Sequence, residues 1–358
     1  MDNRIYDFSK LKTSDRNGTY GGNSGNKEGV LINDEYWLIK YPKSTKDLNN
    51  VGSLSYSTSP ISEYIGSHIY NILGYPVHET MLGVRNNKLV VACKDLCDDT
   101  HRLIEFRQLK NTYNQKLSEA LETHFTSTGS QHFVGLEEVI THLKYNPEIN
   151  KVPGIEERFW ECMIIDGFIN NNDRNNGNWG ILRDKNESVL APIYDNGSSF
   201  SPNVPESRLI KKLNNQQSLE SSACNGVTAY SLDGEHNLLF RDAMQYNNKN
   251  LKQAIIKVVP NITLHISEIQ KFIDNIPEKI NGIEVLSPVR KEIYQKEMDI
   301  RMEKIMAPAY EKNIRIEKHP NTYSFMSFDD MLANTSTSTR YNRDESTWHG
   351  ARDDGMEH

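Results

Sequence analysis

Long apolar runs are missing from this chain. No window approaches the roughly 18 consecutive apolar residues that span a bilayer, and Met1–Asp7 has neither the basic start nor the apolar core of a secretory signal. Cysteine is scarce: Cys93, Cys97, Cys162 and Cys224 are the only four, and none forms a C-x-x-C pair. That speaks against a disulfide framework or a zinc module and for plain reduced thiols. Positive charge is in deficit, with 41 Lys and Arg against 48 Asp and Glu and a net charge of −7, a balance that argues against direct nucleic-acid binding. The glycine-rich stretch Tyr20–Val30 lacks a Gly-Lys-Ser/Thr ending, which excludes a Walker A loop. The absences together point to residence in a cytosol without a membrane span, with export by a leaderless route left open.

The 358 residues have room for one large two-lobed domain or two ordinary ones. Glycine and alternating apolar residues predict a hairpin over Gly29–Ile32 and Tyr36–Lys40, turning at Asn33–Asp34. Ile61, Tyr64, Ile65, Ile69 and Ile72 recur at helical spacing behind Pro60, and Gly74 stops that helix. Val77–Val84 and Lys88–Cys93 read as two further strands. Beyond Asp95 the texture is helical, over Leu103–Leu121, Gly135–Leu143, Gly154–Asn170, Leu251–Val259, Ile262–Ile276 and Pro288–Met306, with Gln216–Gly226 expected as a mobile loop. Strands early and helices late predict an α+β fold in two lobes hinged near Val90–Leu96. Residues 1–95 form a small β-rich lobe, 96–318 a larger helical lobe, and 319–358, poor in aliphatics, a disordered tail.

The chemistry concentrates where Asp173 is followed five positions on by Asn178 and, after an apolar run, by Asp195 in the order Asp-Asn-Gly. That spacing wires a kinase site: one Asp orients an attacking hydroxyl, while the Asn and the second Asp hold Mg²⁺ on nucleotide phosphates. Upstream pieces match. Gly22, Ser24 and Gly25 stand in a loop whose backbone N–H groups can approach phosphates. Lys40 closes an apolar strand 15 residues after Gly25, with Lys43 as a nearby competitor, and Glu63 lies early in the following helix, within reach of an ion pair. Ala92, Lys94 and Asp95 stand where a strand leaves the first lobe and could border an adenosine site. Each piece alone has a bland equivalent: a surface turn, a rim lysine, a helix-start carboxylate suited to the dipole. The combination is what selects the kinase reading.

Ser59–Gly66, Asn172–Gly180 and Pro192–Ser199 resemble the HipA-like serine/threonine kinases, and in particular their compact branch, the cell-translocating kinase A proteins; the resemblance covers roughly residues 15–310. It implies a protein-kinase-like fold, ATP and Mg²⁺ as cofactors, and a bacterial protein. By it Asp173 is similar to the catalytic Asp, Asn178 and Asp195 to the Mg²⁺ ligands, and Lys40 to the ATP lysine, with Ala92, Lys94 and Asp95 at the adenosine. It also implies autophosphorylation in the Gly-rich loop, on Ser24 or on Thr19 at its edge. Two departures stand out. HipA toxins carry a subdomain before the Gly-rich loop for which fewer than 20 residues are present, and Asn175 stands where they have a histidine after Asp-Arg. The reading is an ATP- and Mg²⁺-dependent protein serine/threonine kinase acting on an unidentified protein substrate. The alternatives are a small-molecule kinase or nucleotidyl transferase, a catalytically silent pseudokinase, and a HipA-type toxin paired with a small helix-turn-helix antitoxin.

Overall fold

Two pairs of residues with left-handed backbone, Asn33 and Asp34 (φ 51° and 64°) and Asn86 and Asn87 (φ 51° and 58°), shape the first lobe. Both make the two-residue turns whose twist matches that of the strands they join. They connect the hairpins of a sheet made of β1 (Tyr6–Asp7), β2 (Lys27–Ile32), β3 (Glu35–Lys40), β4 (Thr80–Arg85) and β5 (Lys88–Lys94), in the order β1-β4-β5-β3-β2. Between β3 and β4 runs helix α1 (Ser59–Ile72), opened by Pro60 and ended at Gly74 (φ 84°). The strand period of two divides the side chains. Val30, Trp37, Ile39, Val90 and Ala92 join Phe8 in one cluster, while Leu82, Val91 and Cys93 belong to the main core with α1. This computed structural model describes residues 4–19, 27–45, 56–122, 134–185 and 187–318. Gly22, Ser24, Gly25 and the expected tail, 319–358, lie outside the described residues.

The second lobe departs from the expected helices in three places. The helix expected over Leu103–Leu121 begins as strand β6 (Arg102–Glu105) and only then becomes α2 (Phe106–Ala120). Leu103 and Ile104 pair with Leu182 and Ile181, and a capping box between Glu105 and Gln108 sets the helix start. There follow β7 (Val134–Gly135), α3 (Leu136–Tyr145), α4 (Ile155–Phe168), β8 (Gly180–Arg183), β9 (Ser188–Leu190) and α5 (Glu206–Leu213). The segment expected as a mobile loop is α6 (Gln216–Cys224), because Asn215 caps it by accepting from Ser218 N (2.9 Å) and Leu219 and Ala223 are buried one turn apart.

After β10 (Tyr230–Ser231) and α7 (Phe240–Ala243), the two helices expected on either side of Pro260 are one, α8 (Lys249–Asp274). Proline removes one backbone donor there, but Val258, Val259 and Ile262 are buried on both sides of it and packing carries the helix through. A small hairpin, β11 (Lys279–Ile280) and β12 (Ile283–Glu284), leads to α9 (Pro288–Arg301), a π-helical turn at Met302–Met306 and α10 (Ala307–Lys318). One apolar core runs from α1 and the inner sheet face through α4 to α8 and α9. No helix among the described residues is long and apolar enough to cross a membrane.

Candidate active site

Lys40, the last residue of β3, points to the opposite side of the sheet from Ile39 and meets two carboxylates. Its Nζ lies 2.7 Å from Glu63 Oε2 on α1 and 3.0 Å from Asp195 Oδ1. Glu63 is 1% exposed, and its other oxygen accepts from the backbone N–H of Asn196 (2.9 Å) and lies 3.0 Å from His78 Nε2. Burial works against the Lys40 charge, but Asp195 and Glu63 hold its pKa well above the lysine range. Burial likewise pushes Glu63 up, and Lys40 followed by His78 outweighs it, leaving the carboxyl well below its usual value. Both groups are therefore charged at neutral pH. Lys43, the competitor, is solvent-exposed and makes neither ion pair; its charge acts on Asp173 instead.

The loop after α4 is held by a buried arginine. Arg174 binds Asp166 through two parallel bonds, Nε to Oδ2 (2.9 Å) and Nη2 to Oδ1 (3.0 Å), the fork geometry of strong guanidinium–carboxylate pairs. The same guanidinium donates to the carbonyls of Asn178 (3.0 Å) and Tyr194 and to Asn196 Oδ1, so it joins the Asp173 loop to the Asp195 loop. Tyr70 on α1 donates to Asp166 Oδ1 (2.9 Å), and Tyr230 to the Arg174 carbonyl (2.9 Å). Asn196 Nδ2 donates to Ser67 Oγ on α1 (2.9 Å). Asp166, Asn196, His78 and Tyr70 went unread in the sequence. No spacing rule announces them: Asp166 pairs with Arg174 eight residues on, His78 with Glu63 fifteen back, and Asn196 with Ser67 across the chain.

On this frame Asp173 is half-buried, its Oδ1 accepting from Asn175 Nδ2 (2.8 Å) and its Oδ2 at 3.5 Å from Ser198 Oγ. Burial raises its pKa, the Asn175 bond partly offsets that, and the Asp195 charge adds to the rise. Asn178 donates through Nδ2 to the Asp173 carbonyl, which leaves Oδ1 as an acceptor. Asp195 has left-handed backbone (φ 60°) and a side chain 38% exposed to the cleft. Burial pushes its pKa up, but Lys40 prevails and lowers it.

Lys40, Asn178 and Asp195 line one cleft of about 420 Å³ between the sheet and the helical lobe, together with His78, Cys93 and Leu96. Asp95 borders it as well, its carboxylate receiving Arg16 Nη1 (3.3 Å) and Cys97 N (2.9 Å). Lys94 stands at the rim, but its ammonium turns outward to Glu35 (2.7 Å) and Glu79 (3.2 Å). Ala92 was expected to offer its backbone to the adenine edge, but it does not line the cleft. It is paired inside the sheet with Ile39 and Met81 and its side chain joins the outer cluster, while Cys93 takes the inner position. Gly22, Ser24 and Gly25 fall outside the described residues; Thr19 ends a 3₁₀ turn, Asp15–Thr19. The donor set suits a nucleotide and Mg²⁺. Asn178 Oδ1 and the Asp195 carboxylate are hard oxygens, Lys40 supplies fixed positive charge, and the volume lies in the range of small-ligand sites.

Asp173 is not among the residues that line the cleft, although its neighbour Asn175 is. A β-rich lobe with a helical one, and a lysine fixed by a helix carboxylate beside Asn178 and Asp195 at one cleft, are the arrangement of a protein-kinase-like fold. The chain is 30% identical over 330 residues to the serine/threonine-protein kinase CtkA of Helicobacter pylori, spanning 88% of this chain and 93% of that protein. The crystal structure of an H. pylori proinflammatory kinase CtkA superposes with a TM-score of 0.71 at 28% identity, covering 88% of this chain and all of that one (100%). A HipA from Shewanella oneidensis MR-1, in complex with HipB and operator DNA, aligns more loosely, with a TM-score of 0.48 and 10% identity over 86% of this chain and 75% of that one. No family model matches the chain. It belongs to the CtkA family of serine/threonine-protein kinases.

Proposed function

We propose that the chain transfers the γ-phosphoryl group of Mg²⁺-bound ATP to a serine or threonine of a protein, and that one acceptor is Ser24 of its own Gly-rich loop. The observation that carries this reading is Lys40 held between Glu63 and Asp195 at the inner end of the cleft. A lysine fixed on both sides presents its charge to a phosphate without first having to be ordered. Asn178 and Asp195 would hold the metal, Asp95 and the chain around Leu96 the adenosine end, and Gly22, Ser24 and Gly25 the phosphates. Mg²⁺ supplies neutralisation of the phosphate charge, and ATP the phosphoryl group. Asp173 orients the acceptor hydroxyl and takes its proton as the new P–O bond forms and ADP leaves. In this reading residues 1–95 handle the phosphates, and 96–318 carry the proton-accepting and metal-binding groups.

A dianionic phosphate on Ser24 would compete with the phosphates of ATP for the same backbone N–H groups, so the modification would switch the kinase off. Thr19 is the second acceptor this reading admits. Peptide mass spectrometry after incubation with Mg²⁺-ATP tests it. Phosphate on Ser24 or Thr19 in wild type, lost from the loop in the Ser24→Ala/Thr19→Ala double variant, is the expected result. A phosphate-free loop in a wild type that phosphorylates a protein substrate would contradict the self-modification while leaving the kinase.

A further inference from the structure

The cysteines, read from spacing alone, have no ligand partners, and none of the four forms a disulfide. Folding changes the picture for one of them. Cys93 on β5, His78 before β4 and Glu63 on α1 bring one ligand atom each to within 4.8 Å of one another, the only such group among the described residues. We propose that these three residues form a second cation site at the inner end of the cleft, suited to Zn²⁺, and that its occupation switches the kinase off.

The Glu63 and His78 corners need little adjustment, and the Cys93 sulfur lies within 4.8 Å of both. His78 Nε2 and Glu63 Oε1 are already 3.0 Å apart, close to the separation of two ligands on one tetrahedral ion with bonds of about 2.0–2.1 Å. The Cys93 sulfur would close the third corner, and the fourth is left for water. Glu63, His78 and Cys93 are 1%, 6% and 3% exposed, yet His78 and Cys93 line the cleft, so an ion reaches them by the same opening as a nucleotide. Ligand softness separates this site from the first. Thiolate with imidazole selects zinc-like ions, whereas the oxygens of Asn178 and Asp195 select Mg²⁺.

Charge and protons balance. Lys40, Glu63 and Asp195 together carry one net negative charge. A dication that displaces the Cys93 thiol proton to solvent adds one positive charge and leaves the pocket neutral. In the free protein the Nε2–H of His78 faces Glu63 Oε1 (3.0 Å). On binding, that proton leaves Nε2 and the neutral imidazole carries its proton on Nδ1, while Ser67 Oγ keeps the hydrogen bond from Asn196 (2.9 Å). Burial holds the Cys93 thiol protonated without metal, so the free protein does not attract cations with a standing thiolate. A dication on Glu63 Oε1 draws on the carboxylate's charge and weakens the hold of Oε2 on Lys40 (2.7 Å). Inhibition at that step rests on the proposed role of the Lys40–Glu63 pair; binding does not.

Co²⁺ titrated into the metal-free full chain tests the site without any turnover. The expected result is a near-ultraviolet thiolate-to-cobalt band that saturates at one equivalent and is bleached by Zn²⁺. It should be lost in the near-isosteric Cys93→Ser and at least about tenfold weaker in affinity in His78→Gln. No band, or a band surviving in Cys93→Ser, overturns the site. With the band present, Zn²⁺ should depress phosphoryl transfer by the wild type at least about tenfold more than by Cys93→Ser; equal sensitivity overturns the switch. A protein that shows the band and transfers no phosphate contradicts the kinase reading alone.

Discussion

Glu63 is the residue on which the two lobes converge. One oxygen holds Lys40 of the sheet, and the other receives His78 and the backbone N–H next to Asp195. Glu63→Gln removes the charge while keeping the shape, and kcat/KM for ATP is expected to fall about tenfold or more, or about 1.4 kcal/mol. Glu63 also ties stability to pH. Its depressed pKa stabilises the fold above the unfolded value of about 4.3, and that contribution is lost as pH falls below it.

Asp173 has the opposite sign. Burial raises its pKa, so the folded state holds the proton more tightly and stability drops as pH rises from about 3.9, the unfolded value, through the folded one. Above that window the penalty is fully present. Asp173→Asn is therefore expected to melt at a higher temperature than wild type at pH 7, with the difference closing in acid, while transfer falls by at least about a hundredfold. An unchanged melting temperature at pH 7 would contradict a destabilised carboxylate there. At this scale order along the chain singled out Lys40, Glu63, Asp173, Asn178 and Asp195, and folding brings Lys40 to Glu63 and Asp195 and sets Asn178 at the same cleft. It gave no role to Asp166, His78 or Asn196, because none of the motifs it used reads the hydrogen bonds they make.

Among the elements, α1 sets the geometry. Gly66 faces the Asp195 loop so closely that a Cβ there would lie 2.8 Å from Asn196 Cβ and 3.1 Å from Ser199 Oγ. Gly66→Ala must part the helix from that loop and lengthen the Lys40–Glu63–Asp195 chain of contacts. The expected cost is about 1–3 kcal/mol of stability, together with a loss of activity greater than that of an alanine on the outer face of the same helix, measured by thermal melts beside kinetics. The Asn33–Asp34 turn and the start and stop of α1 were legible, since Asn, Pro and Gly act locally. The misread elements turned on tertiary contacts. Leu103 and Ile104 become strand because β8 offers them partners, α8 runs through Pro260 because apolar contacts flank it, and α6 forms on a cap and two buried residues.

Across the whole molecule, α1 belongs to both lobes. His68 stacks on Phe272 of α8 (4.9 Å between ring centres, 9° between planes), and Asn261 of α8 donates to the Leu73 carbonyl (2.9 Å). With one core running from sheet to helices, the lobes are expected to unfold together. Single-tryptophan variants reporting from Trp37 in the sheet, or from Trp160 or Trp179 in the helical lobe, should give coincident denaturation curves; separate midpoints would contradict the shared core. Everything proposed for the cleft turns on Asn178 and Asp195 holding Mg²⁺ for phosphoryl transfer. The most direct test is phosphate incorporated into protein by wild type and by Asp195→Ala, purified alike and shown to be folded. The expected result is Mg²⁺-dependent incorporation by wild type and a loss of at least about a hundredfold in the variant. A variant that keeps about a tenth of wild-type transfer, short by only about 1.4 kcal/mol, would contradict the role given to Asp195.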